Sequence, residues 1–106
     1  MTDHLVLGLG VTGRAVLRAL RSHGEGAVVV DDHPTDAGKR LAEDLGVELV
    51  DAPSAAALAA LVRRVDAVVP SPGVPDHHAI FGLAAEAGVE VLSEFDLARR
   101  WDDRPH

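Results

Sequence analysis

Apolar positions along the chain fall into short unbroken runs, separated by longer stretches in which apolar residues recur every three or four places. The runs His4–Leu9, Ala27–Val30, Val47–Val50, Ala67–Val69 and Val89–Leu92 predict strands. Because they are continuous rather than alternating, both faces of each strand are expected to be covered. The stretches Thr12–His23, Thr35–Leu45, Ser54–Arg64, His78–Ala87 and Glu94–Trp101 predict helices, three of them followed by a closing glycine at Gly24, Gly46 and Gly88. In the first of these, Arg14, Arg18 and Arg21 mark a solvated stripe, with Ala15, Ala19 and Leu20 elsewhere on the wheel. The resulting order, βαβαβαβαβα, predicts an α/β fold. Each parallel step needs a right-handed crossover, so the sheet carries helices on both faces.

Composition narrows the function classes. A chain of 106 residues is the size of one domain, so a complete multidomain enzyme is not expected. There is no cysteine, which removes disulfides, thiolate metal sites and a cysteine nucleophile. Seventeen acidic residues against ten Lys and Arg give a formal charge of −7. That balance argues against a nucleic-acid surface, and any bound anion has to be held locally. No signal peptide pattern opens the chain and no apolar run approaches a membrane span, so a cytoplasmic setting is expected. The polar segment 102–106 reads as a linker or chain end, leaving residues 1–101 as the domain.

Candidate chemistry begins at Gly8-Leu9-Gly10-Val11-Thr12-Gly13, a G-x-G-x-x-G between the first strand and the first helix. In this context Gly8 allows a tight turn, Gly10 leaves room for a phosphate group, and Gly13 lets helix and strand approach. The amides of Val11 and Thr12 then face the anion, aided by the roughly half positive charge of a helix N-terminus. The bland alternative is a glycine-rich turn without a ligand. Asp31 closes the second strand 18 residues after Gly13, where dinucleotide-binding folds place an acid for a ribose hydroxyl. Asp32 follows it, as a second carboxylate at the same edge or as a turn former ahead of Pro34. A second loop, Pro70-Ser71-Pro72-Gly73-Val74-Pro75, ends the fourth strand and is expected to be rigid, with Pro72-Gly73 suited to a type II turn. In an open sheet of order 3-2-1-4-5 this loop faces the glycine loop across the switch-point crevice.

Taken together, the segments 8–13, Val30-Asp31-Asp32, Ser71-Pro72-Gly73-Val74-Pro75, Ala87-Gly88-Val89 and Ser93-Glu94-Phe95-Asp96-Leu97 resemble the N-terminal domain of the Mur ligases, over about residues 4–100. The resemblance is strongest to their D-glutamate-adding branch. It implies a Rossmann-like doubly wound domain that binds the UDP half of UDP-N-acetylmuramoyl-L-alanine. It also implies that Gly8, Gly10 and Gly13 shape the loop, while Val11 and Thr12 meet the diphosphate. Asp31 and Asp32 would then meet the uracil edge, and Ser71, Pro72 and Gly73 would cover the base. A carboxylate suits uracil, whose N3–H is a donor, and disfavours cytosine, which presents a lone pair there. The parent reaction would need ATP and Mg²⁺ on a central ATPase domain, and a C-terminal domain for D-glutamate. No G-x-x-x-x-G-K-[ST] occurs here, the only lysine being Lys39, so no catalytic residue is assigned and the 106 residues alone are expected to be inactive. Asp32, His33 and Ala79 stand where well-known members carry threonine, arginine and proline. The rival reading is an NAD(P)-binding module of a dehydrogenase or a nucleotide sensor.

Other signals carry less. His77 and His78 are adjacent and point different ways on a helix start, so no metal site is expected, and Asp76 and His77 read as capping and solvent-facing. Ser93 and Asp96 fit a capping box. Arg14 belongs to the solvated arginine stripe. Trp101 reads either as a partly buried anchor or as a contact for a further domain.

Overall fold

A computed structural model describes residues 3–101; the segment 102–106, read above as a linker or chain end, lies outside them. The elements run β1 (Asp3–Leu7), α1 (Val11–Ser22), β2 (Gly26–Asp31), α2 (Asp36–Leu45), β3 (Glu48–Asp51), α3 (Ala55–Arg63), β4 (Ala67–Pro70), α4 (Ala79–Ala87), β5 (Glu90–Val91) and α5 (Glu94–Trp101). They form one five-stranded sheet of order β3-β2-β1-β4-β5 with every pairing parallel, as the alternation predicts. β1 sits in the middle, its Leu5 opposite Val28 on one side and Val68 on the other.

The unbroken apolar strands serve two cores at once. Leu5, Leu7, Val28, Val30 and Val68 face α3 and α4, packing on Leu58, Leu61, Val62, Ile80 and Ala84. Val6, Val29, Ala67 and Val69 face the other way, onto Val16, Leu17 and Leu20 of α1 and Leu97 of α5. The side-chain period of two in a strand produces this division. On α1 the buried stripe is Gly13, Val16, Leu17 and Leu20, and Ala15 is exposed.

Two strands are shorter than the apolar runs suggest. β1 stops at Leu7 because Gly8 takes φ +89°, a left-handed turn that a side chain disfavours. Leu9 leaves the ladder yet stays buried, inserted into the core beside α1. β5 keeps only Glu90 and Val91, since Leu92 turns inward to the same core. Trp101 resolves as an intradomain anchor: its indole N–H donates to Glu25 at 2.7 Å and its ring stacks on His23 at 4.1 Å.

Candidate functional site

The three loop glycines do three different jobs. Gly8 turns the chain and lies against Ser71, whose Cβ and Oγ would each be 3.3 Å from a side chain added there. Gly13 admits no side chain at all, because a Cβ would fall 1.9 Å from the Gly8 carbonyl oxygen. Helix and loop therefore touch backbone to backbone. Gly10 has open space where its side chain would be, although its φ of −74° and ψ of −167° suit any residue.

Gly10 is also the N-cap of α1 and supplies no side-chain cap. The other four helices are capped: Thr35 Oγ1 accepts from Gly38, Ser54 Oγ from Ala57, His78 Nδ1 from Ile80, and Ser93 Oγ from Asp96. The first turn of α1, where amides lack intrahelical partners, thus opens onto the carboxyl edge of the sheet with nothing of its own to satisfy it. Arg14 does not run free in solvent as its stripe suggested; its Nε donates back to the Gly10 carbonyl at 3.4 Å.

Opposite this turn lies the end of β2. Both oxygens of Asp31 accept backbone amides, Oδ2 from Leu9 and Oδ1 from His33, each at 2.9 Å. The carboxylate ties the glycine loop to the end of its own strand. Asp32 is exposed, and its Oδ2 lies 2.9 Å from His78 Nε2. The second loop is held to the sheet by the Ser71 amide on the Leu7 carbonyl at 2.9 Å. Val74 N–H closes a turn onto the Ser71 carbonyl at 3.0 Å, centred on Pro72-Gly73 as expected. It is not the type II form, because Gly73 is not among the residues with positive φ.

Two cavities flank Ser71. One, of about 550 Å³, is lined by the Leu7–Gly10 turn, Asp31, Asp32 and His33, Thr35, Ser71, Gly73, Val74, Pro75 and His78. The other, of about 480 Å³, lies past the start of α1 against Thr12, Gly13, Ser71, Pro72, Val91 and Phe95.

A sequence model described as "Mur ligase MurD-like, N-terminal domain" matches residues 2–93. The chain belongs to this family. It is 43% identical to the UDP-N-acetylmuramoylalanine--D-glutamate ligase of Syntrophus aciditrophicus over 95% of its length, and 42% identical to that of Mycobacterium avium over 96%. It covers 22% and 20% of those two proteins, about a fifth of each. Among solved structures, a pseudomurein peptide ligase type C from Methanothermus fervidus superposes with a TM-score of 0.77 at 20% identity, over 93% of this chain and 20% of that one, a likeness of fold. The NAD(P) alternative is not favoured by this membership.

Within the MurD-like domain, the residues singled out by motif divide between the two cavities. Gly8, Gly10, Asp31, Asp32 and Gly73 line the first, Thr12, Gly13 and Pro72 the second, and Ser71 both. Val11 lines neither and stands at the rim, 81% exposed. His78 was missed: the expected cap was Asp76, yet the imidazole caps α4 and reaches Asp32 as well. Ala79 is the first residue of α4, the position a proline would suit. Ser93 and Asp96 make the full capping box, with Ser93 N–H on Asp96 Oδ2 at 2.9 Å. That amide, then the Ser93 hydroxyl, then Arg99 and Arg100 hold the Asp96 carboxyl below its usual range. Lys39 is exposed on α2 and lines neither cavity.

Proposed function

We propose that this domain binds the uridine diphosphate part of UDP-N-acetylmuramoyl-L-alanine on behalf of a cytoplasmic, ATP- and Mg²⁺-dependent D-glutamate-adding ligase of peptidoglycan synthesis. The observation that carries this reading is the uncapped start of α1, opening beside a crevice with carboxylates at its far side. An acidic domain can hold a diphosphate there because unpaired amides and the helix dipole supply the positive potential locally. Val11 and Thr12 offer those amides, with the Thr12 hydroxyl beside them. The base then lies in the larger crevice, between the Asp31-Asp32 corner and the Ser71-Pro72-Gly73 loop. Groups beyond the diphosphate lead past Thr12 and Gly13 toward the second cavity.

The domain's contribution to the parent reaction is binding at a distance from the bond being made. Holding the nucleotide fixes where the remote carboxylate of the substrate can lie, so a favourable orientation is established before the chemistry. No bond-making residue is assigned among these 106, and purified chain is expected not to turn over ATP.

The test is a titration of UMP, UDP and NAD followed by amide chemical shifts. UDP should move Val11, Thr12, Asp31 and Gly73, with affinity as weak as ~1 mM, about 4 kcal/mol, because the sugar and peptide contacts lie elsewhere. Gly10→Val should weaken UMP and CMP by the same factor, since its side chain fills the space before the α1 amides and leaves the base corner alone. NAD binding more tightly than UDP would reverse the assignment.

A further inference from the structure

The two neighbouring carboxylates at the end of β2 are not equivalent. Asp31 is half-buried and each of its oxygens already accepts a backbone amide, so its carboxylate is committed to holding the glycine loop against His33. Asp32 is bound on one side only. Its Oδ2 meets His78 Nε2 at 2.9 Å, and its carboxylate, 45% exposed, stands on the wall of the larger crevice.

The far side of the imidazole decides the chemistry of that contact. His78 Nδ1 accepts the Ile80 amide at 3.1 Å, so a neutral ring carries its proton on Nε2 and donates it to Asp32. The helix cap thus dictates the tautomer, and the tautomer makes Nε2 the donor to one oxygen of the Asp32 carboxylate. The bridge joins the end of β2 to the start of α4, both residues lining the crevice. Asp32 Oδ1 has no protein donor among the described residues.

We propose that Asp32, oriented by His78, is the residue that reads the base, and that Asp31 is a pillar of the loop. This rests on the uridine reading above. The imide N3–H of uracil donates to a held, negatively charged acceptor, whereas cytosine turns a lone pair toward the same oxygen and is repelled. His78 acts through Asp32 and is a positioning residue. Without it, an exposed carboxylate on two rotatable bonds has to be ordered by the ligand itself.

The experiment uses the 106-residue chain, with UMP and CMP titrated separately and amide shifts giving both affinities. Asp32→Asn keeps an acceptor for His78 but loses the charge, and its NH₂ can serve cytosine N3. The UMP:CMP preference should drop about tenfold, the value of one charge-assisted hydrogen bond made neutral. Asp32→Ala should lower it at least as far. His78→Asn retains an N-cap acceptor for Ile80 but is too short to reach Asp32. It should therefore keep the wild-type melting temperature, lose several-fold in UMP affinity, and have no further effect in an Asp32→Ala background. A full UMP:CMP preference in Asp32→Ala overturns the proposal and returns the role to Asp31 or the Gly73 backbone. Additive losses in the double variant overturn the positioning role of His78. Wild-type chain that binds neither UMP nor UDP overturns the uridine reading itself, an outcome separable from the other two because it appears before any substitution is made.

Discussion

β1 begins and ends under opposite conditions. At its start His4 is fully buried, and neither ring nitrogen has a hydrogen-bond partner among the described residues. At its end, four residues on, nearly every polar group is engaged: the Gly8 amide on the Val30 carbonyl, the Leu9 amide on Asp31, the Ser71 amide on the Leu7 carbonyl. The same contrast separates two histidines. His4 uses no ring nitrogen, while His78 uses both. Stability is thus relinquished at the closed end of the strand and concentrated at the open end, where the first amides of α1 have no side-chain cap.

The contrast can be broken most severely at Gly13. Gly13→Ala sets a methyl group on the Gly8 carbonyl, and because backbone meets backbone there is little room to yield. A loss of about 3 kcal/mol or more is expected in denaturant unfolding. Gly10→Ala is the control, since its added methyl meets open space and should change stability by well under ~1 kcal/mol. Equal losses at the two positions would refute the division of labour between them.

Asp31→Asn comes next. An amide presents one acceptor and one donor where two backbone amides both donate, so either Leu9 or His33 faces an N–H. About 1–3 kcal/mol should be lost, and amide exchange should speed at that residue. At the other end of β1, His4→Leu removes two unpaired polar atoms from the core at similar volume, and a gain of about 1–2 kcal/mol is expected. Destabilisation by this change would mean that the ring has a partner, such as a buried water.

The smallest effect is on α5. Asp96 has its folded pKa lowered by the Ser93 amide and hydroxyl, so its contribution is complete above the unfolded carboxylate value of 3.8 and declines as pH falls through the lower folded value. Only acid should fray the start of α5. Amide shifts at Ser93 and Asp96 followed between neutral pH and about pH 2 would show it, and Ser93→Ala should bring the midpoint back toward the ordinary carboxylate range.

The strands, helices and sheet order were legible because each rests on a local rule: unbroken apolar runs, periodic stripes, and the handedness of crossovers. The steric roles of Gly8 and Gly13 in the glycine loop were legible for the same reason, one needing a left-handed turn and the other a backbone-to-backbone approach. The corner at Asp31, Asp32 and His78 was not. A carboxylate reads identically whether it binds a ligand or two backbone amides, and only the fold brings Leu9 to Asp31. His78 lies 46 residues from Asp32 in sequence, and no spacing rule joins them. The unpartnered His4 left no trace either, since one histidine at the head of an apolar run carries no sign of what surrounds it.

The central place of β1 has a consequence for how the chain is made. Its first neighbour, β2, is complete at Asp31, but the second, β4, is not complete until Pro70. At roughly 5–20 residues per second, a ribosome leaves the β4-facing edge of β1 open for some seconds after the other edge is paired. During that interval Leu5, Val6 and Leu7 form an unpaired apolar ribbon, the kind of edge to which another chain can add. Nascent chains arrested before Ala67 emerges should be cut readily by protease and retained by chaperones, and those arrested beyond Leu97, with both cores closed, should not.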